Sequence, residues 1–337
     1  MTRDARIVEA SPQAVQQAAA LLAAGELVAF PTETVYGLGA NAGDAKAVAR
    51  IFSAKRRPAD HPVIVHLADT ARMHAWAREV PPGAAALAQA FWPGPLTLVL
   101  PRTALASDAV TGGQDDVGLR VPSHPVAQAL LDAFAALGGE GIAAPSANRF
   151  GHVSPTTAQH VAHDLGDAVG LILDGGACNF GIESTIIAFT GAAPLLLRPG
   201  GVPLGDIVRV LGRVPRDHDR AAPRASGTHA SHYAPRTPAL RVAPDALRPE
   251  VEQLGDRDER LAVLARTVAA PSGFDGTWQH AGPGPQAYAH DLYAALRALD
   301  ATGADVLLIE DVPDEPEWLA VRDRLARATH GVEDDRD

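Results

Sequence analysis

At 337 residues the chain exceeds one average domain and is long enough to build two cores. With 47% hydrophobic and 20% charged residues it is not a disordered chain, and its single cysteine, Cys178, excludes an internal disulfide or a Cys-based zinc cluster and fits a reducing compartment. A net charge of −11 and a pI near 5.6 argue against sequence-independent nucleic-acid binding, and no apolar run approaches the about 18 residues that span a bilayer.

The opening Met1-Thr-Arg-Asp-Ala turns polar too soon for a signal peptide, so a soluble, cytoplasmic protein is expected. Short apolar runs then alternate with helical patterns. Leu27–Phe30 reads as a strand, Asp44 caps a helix over 45–54, and Pro62–Leu67, Leu96–Leu100 and Val117–Val121 read as further strands. Ser123 with Pro125 starts a helix over 126–137, Gly141–Ala144 is a short strand, and Ser154-Pro155 starts a helix over 156–165. Strands at Leu171–Leu173, Ser184–Ala188 and Leu195–Leu197 follow. The alternation predicts an α/β domain over 1–212, built on one extended, mixed sheet. Residues 213–238 are polar, carry prolines and lack apolar periodicity, so they read as a linker. Beyond it a smaller α/β domain over 239–337 is expected, with strands at Leu261–Leu264 and Asp305–Ile309 and helices at Tyr288–Leu299 and Trp318–Thr329.

No P-loop lysine motif, no G-x-G-x-x-G after a strand and no G-x-S-x-G elbow occurs, so the candidate chemistry rests on polar residues at strand ends and turns. Pro31-Thr-Glu-Thr-Val-Tyr-Gly-Leu-Gly39 follows the first strand; Gly37 and Gly39 permit tight turns and close backbone approach. It is either a polar connecting loop or one rim of a site. Lys55-Arg-Arg-Pro58 closes a helix. Cations there are favoured by about 0.3–1 kcal/mol through the helix dipole alone, and the same cluster suits a triphosphate. His66 lies in its strand opposite Val63, Val65 and Leu67, and Arg120 opposite Val117, Leu119 and Val121. Beside Gly118, Arg120 has the chemistry to hold a small carboxylate in a bidentate grip; an exposed strand position is the alternative.

Ala144-Pro-Ser-Ala-Asn148 and Ser154 offer hydroxyl and amide donors for phosphate or ribose oxygens, or act only as caps and turn formers. Gly181-Ile-Glu-Ser-Thr185 and Arg198-Pro-Gly-Gly201 repeat the theme. His160 and His163 stand three apart on a helix without a carboxylate to complete a metal set, and Cys178 reads as a packed small thiol.

Taken together, the wording and order of these segments resemble the YrdC-like threonylcarbamoyl-AMP synthase family over about residues 7–212. Ser226-Gly-Thr-His-Ala-Ser-His-Tyr-Ala-Pro235, Leu292–Asp300 and Arg322–Arg327 are similar to the linker and C-terminal domain of its longer, two-domain members. The resemblance implies a twisted, mostly mixed open sheet followed by a smaller Rossmann-like α/β domain. It also implies a nucleotidyltransferase that makes threonylcarbamoyl-AMP and pyrophosphate from L-threonine, bicarbonate or CO2, and ATP. The product feeds the threonylcarbamoyl modification of tRNA adenosine, carried out by a downstream transfer machinery.

By the same resemblance threonine lies near Thr34, His66, Arg120, the backbone of Ala144 and Ser184. ATP lies near Lys55, Arg57, His61, Ser146, Asn148, Ser154, Arg198 and Tyr233, with Lys55 and Arg57 as the catalytic cations. Mg2+ is expected with ATP, held by phosphate oxygens and water rather than a dedicated carboxylate set. A linker carrying Tyr233 is expected to fold over the nucleotide and exclude water. Arg56 stands where members often have glycine, His61 where many have asparagine, and Asp116 where a hydroxyl residue is frequent. Two other readings compete: a non-catalytic RNA-binding module, against which the net charge of −11 weighs, and a carbamoyl-transfer domain of hydrogenase-maturation type, which lacks its acylphosphatase-like and zinc-finger surroundings here.

Overall fold

The computed structural model describes residues 6–217, 222–227 and 232–330. The chain divides into two compact units, residues 1–150 with 154–228, and residues 151–153 with 229–337.

The first unit opens with β1 (Ile7–Glu9) and α1 (Pro12–Ala23), whose Ser11 hydroxyl accepts the Ala14 N–H at 3.2 Å while Pro12 occupies the first turn. β2 (Val28–Phe30) and β3 (Gly37–Asn41) form a hairpin. α2 (Ala45–Lys55), β4 (Ile64–His66), the short α3 (Met73–Trp76), α4 (Pro82–Phe91), β5 (Leu96–Pro101), the short α5 (Asp108–Thr111) and β6 (Asp116–Arg120) follow. Next come α6 (Pro125–Ala136), β7 (Ile142–Ala143), α7 (Ala158–Leu165), β8 (Leu171–Asp174), β9 (Thr185–Ala188), β10 (Leu195–Arg198), α8 (Leu204–Leu211) and β11 (Arg216–Asp217). Among the described residues one mixed sheet of eleven strands runs β1-β8-β2-β3-β7-β4-β6-β5-β9-β10-β11.

The faces of this sheet are treated differently. One face is apolar throughout: Leu38, Val65, Leu98, Leu119 and Ile187 are all buried, with α2 packed at β3, α5 at β6 and α4 at β5. On the other face α1 and α6 bury Val28, Phe30, Ile142 and Ala144 in one cluster. Register carries that second face onward through the pairs Ile64↔Gly118 and His66↔Arg120, and through Thr97↔Ile186. There it is covered by chain rather than by a helix. Ala222 and Ala225 join Ile64, Val99, Ile186, Ala188 and Leu197 in a second, smaller cluster. The half of the face without a helix is where the polar residues gather.

In the second unit β12 (Ala239–Val242), α9 (Leu247–Gly255), β13 (Leu261–Ala265), β14 (Thr277–His280), α10 (Pro285–Asp300), β15 (Val306–Glu310) and α11 (Leu319–Thr329) form a four-stranded parallel sheet, order β12-β15-β13-β14. Val251 and Leu254 of α9 pack with Leu240, Val263 and Leu308. Alternation turns Leu264, Leu307 and Ile309 the other way, and α10 and α11 lie against β13, β12 and each other. A mixed sheet unit followed by a parallel, Rossmann-like unit is the fold class expected.

Several boundaries moved. Gly37–Asn41 is a strand, not a turn, and its glycines serve close approach: a Cβ on Gly39 would stand 2.9 Å from both the Phe30 ring and Ile142. The helix expected from Ser123 is capped by His124, whose Nδ1 accepts the Val126 N–H at 3.1 Å. The helix expected from Ser154-Pro155 starts at Ala158, capped by Thr157, so Ser154 is not a helix N-terminus. Within the polar stretch 213–238, Arg216–Asp217 pairs parallel with β10, while 218–221 and 228–231 lie outside the described residues.

Candidate active site

The loop after β2 is locked by one hydroxyl. Thr32 Oγ1 accepts the N–H groups of Thr34 and Val35 at 3.2 Å, donates to the Val35 carbonyl at 2.6 Å, and lies 2.8 Å from Thr34 Oγ1. The buried Tyr36 hydroxyl donates to the Gly176 carbonyl at 2.8 Å and anchors the loop's far end. The loop is thereby rigid and presents Glu33 and Thr34 to β6. Arg120 Nη1 donates to Thr34 Oγ1 at 3.0 Å and Nε to the Gly94 carbonyl at 3.3 Å. Its Nη2 stands 2.7 Å from Glu33 Oε1 at an angle outside hydrogen bonding, so that contact is an ion pair. Beside Arg120 in register is His66, 3% exposed and edge-on to Phe30 with ring centroids 6.2 Å apart. Burial, with the Arg120 charge adding to it, pushes the imidazole down to about 3, so His66 is neutral at physiological pH.

The cation cluster divides. α2 ends in a left-handed cap at Arg56, with φ 53°, which turns that side chain to solvent and leaves Lys55 and Arg57 buried. Lys55 Nζ donates to the carbonyls of Ser146 and Asn148, and the Phe150 N–H donates back to the Lys55 carbonyl at 3.0 Å. Burial, and then the neighbouring Arg57 charge, hold the Lys55 ammonium well below the usual lysine range. Arg57 lies 5.9 Å over the Phe150 ring and donates to the Pro62 carbonyl at 2.8 Å and to Ser226 Oγ at 3.4 Å. His61 packs against the same ring, with centroids 5.2 Å apart.

A third group forms around β9. Ser184 Oγ is 2.8 Å from Thr97 Oγ1 and accepts Arg198 Nη2 at 3.1 Å. Arg198 also grips the Ser184 carbonyl through Nε and Nη2 at 3.1 and 2.9 Å, and donates Nη1 to the Ser226 carbonyl at 2.8 Å. Ser154, next along, donates to Glu183 Oε1 at 2.6 Å.

The expected residues therefore fall into linked sets. Thr34, His66 and Arg120 meet at one end of the open face. Lys55 meets Ser146 and Asn148, Ser184 meets Arg198, and Arg57 and Arg198 both reach Ser226. The Ala144 N–H donates to the Ile64 carbonyl at 2.9 Å, so that amide belongs to the sheet. Tyr233 belongs to the second unit, where it stacks on Tyr293 with centroids 5.6 Å apart and lies under the Arg324 guanidinium. His160 is occupied locally, its Nδ1 accepting the Thr156 N–H at 3.3 Å. The Cys178 thiol, pushed up to about 12 by burial, is held as an inert packed group.

Sequence reasoning left out Glu33, Thr97, Glu183 and Ser226. Glu33, Glu183 and Ser226 stood inside segments already noted, but only folding gives each its partner. The arrangement offers one buried guanidinium with hydroxyl neighbours, suited to a carboxylate, and three cations among carbonyls and hydroxyls, suited to phosphates. Among the described residues no three His, Cys, Asp or Glu side chains group to hold a metal ion.

A family model described as telomere recombination matches residues 20–200, and one for the threonylcarbamoyl-AMP synthase C-terminal domain matches residues 202–330. The threonylcarbamoyl-AMP synthase of Pyrococcus abyssi is 42% identical over 322 residues, 94% of each chain, and that of Bacillus subtilis 40% identical over 326 residues, 94% of this chain and 93% of the relative. The crystal structure of P. abyssi Sua5 complexed with L-threonine aligns at TM-score 0.87 and 40% identity, covering 96% of both chains.

Proposed function

The chain belongs to the two-domain Sua5 family, and from that premise we propose how it acts as a threonylcarbamoyl-AMP synthase: L-threonine, bicarbonate and ATP give threonylcarbamoyl-AMP, pyrophosphate and water. Carboxylation of the threonine amine forms a carbamate. A carbamate oxygen attacks the α-phosphorus of ATP, and pyrophosphate leaves.

The observation that carries this reading is that Arg57 and Arg198, far apart in sequence, converge on Ser226 within the unit that also builds the Thr34–His66–Arg120 cluster. Arg120 takes the threonine carboxylate, Thr34 and Ser184 offer hydroxyls, and neutral His66 contributes without adding charge beside Arg120. The chemistry needs little proton transfer beyond a deprotonated amine; it needs two substrates positioned and charge on the phosphates compensated. Lys55, Arg57 and Arg198 supply that charge, and Ser146, Asn148, Ser154 and His61 line the same side. Lys55 is depressed by burial and by the Arg57 charge, with Asp164 opposing them; a triphosphate beside it favours the ammonium and reverses the balance.

Mg2+ would enter with ATP, held by phosphate oxygens and water and compensating phosphate charge. The segment 222–227 acts as a cover that limits water around a labile mixed anhydride. The product passes to the machinery that modifies tRNA adenosine. That the reaction takes place in the cytoplasm is part of the same proposal; no helix among the described residues is long and apolar enough to cross a membrane.

The test is pyrophosphate release from ATP and bicarbonate with L-threonine, with L-serine and with no amino acid. Release dependent on L-threonine is expected; release indifferent to the amino acid would refute the assignment.

A further inference from the structure

Glu33 has no role in the reaction as described, yet its carboxylate touches the guanidinium assigned to threonine. The two oxygens serve different segments. Oε1 lies 2.7 Å from Arg120 Nη2, and Oε2 accepts the Ser123 N–H at 3.1 Å, in the turn between β6 and α6. The other Arg120 nitrogens are held by Thr34 and Gly94. Three nitrogens are thus held from two parts of the chain, the loop carrying Glu33 and Thr34 and the carbonyl of Gly94, and the plane of the guanidinium is set before any ligand arrives. Arg120 and Glu33 side chains are 5% and 4% exposed, so the guanidinium has a counter-charge even in an empty pocket.

We propose that Glu33 is a positioning residue for L-threonine, acting through Arg120. This rests on the functional reading above. A carboxylate is needed rather than any acceptor of that shape, because Oε2 takes the Ser123 N–H while Oε1 gives the buried guanidinium its counter-charge, and an amide can serve the first but carries no charge for the second. Packing alone would rank the substitutions the other way: isosteric glutamine would serve, and the shorter aspartate would not.

The experiment titrates L-threonine and, separately, ATP into the full chain and its E33Q and E33D variants, with melting temperatures measured alongside. E33Q is expected to weaken L-threonine binding about tenfold while ATP binding changes by less than about twofold. E33D, which keeps both oxygens, recovers part of the loss. Wild-type threonine affinity in E33Q, a better E33Q than E33D, or an equal loss for ATP would each overturn the proposal. If E33Q does not fold, E33D against wild type carries the same division: a raised threonine KM with an unchanged ATP KM supports it, and equal changes overturn it. A wild-type chain that binds no L-threonine would remove the functional reading, and this inference with it.

Discussion

His66 shows how a single residue's environment sets its chemistry. Its imidazole titrates near 3 in the fold against about 6.5 in an unfolded chain. As pH falls below 6.5 the unfolded state takes the proton first, so this residue's share of stability, present above 6.5, is lost progressively toward 3. The expected NMR result is a His66 imidazole whose shifts stay flat from pH 8 to 5; a midpoint near 6.5 would contradict a buried, neutral ring. His66→Asn should also flatten the acid side of the stability profile. The same reasoning separates Cys178 from the chemistry, since a thiol near 12 holds almost no thiolate at neutral pH.

Among the elements, α2 and its cap decide which cations face the site. Arg56 sits at φ 53°, a backbone region that glycine occupies without strain. Because its side chain is exposed, Arg56→Gly should stabilise the first unit by about 0.5–1 kcal/mol in urea unfolding and leave the pyrophosphate-release rate unchanged. A loss of activity would mean that Arg56 contributes a contact the fold does not show. β3 works by absence instead: without side chains at Gly37 and Gly39 the hairpin closes on Phe30, and Phe30 backs His66.

For the molecule as a whole, the open half of the sheet depends on the segment 222–227. Gln114 holds that segment as a strand partner would, accepting the Arg224 N–H at 2.7 Å and donating to the Arg224 carbonyl at 3.1 Å. Ser226 Oγ adds a bond to the Pro62 carbonyl at 2.9 Å. A chain ending at residue 212 loses these bonds and uncovers Ile186, Ala188 and Val99, while one ending at 227 keeps them. The shorter chain should be less stable by about 1–2 kcal/mol and should bind ATP less tightly; equal ATP affinity in the two would rule out any part for 222–227 at the site.

The sequence alone determined the strands between Leu27 and Leu197 other than Gly37–Asn41, the helix ending at Lys55–Arg57, and a set of segments specific enough to mark the family. Periodicity, caps and turn residues act between near neighbours, so they survive in one dimension. Its errors were local competitions: Ser123 against His124, and Ser154 against Thr157, as helix caps. The tertiary structure decided which groups do chemistry together. It turned Arg56 out and Lys55 and Arg57 in, set His66 beside Arg120, gave Glu33 to Arg120 and Glu183 to Ser154, and brought Ser226 between Arg57 and Arg198. His66 meets Arg120 through sheet register, and the other pairings join segments distant in the chain across the ends of strands that register has set side by side. Register follows from the burial of whole faces, a property that no short stretch of sequence carries.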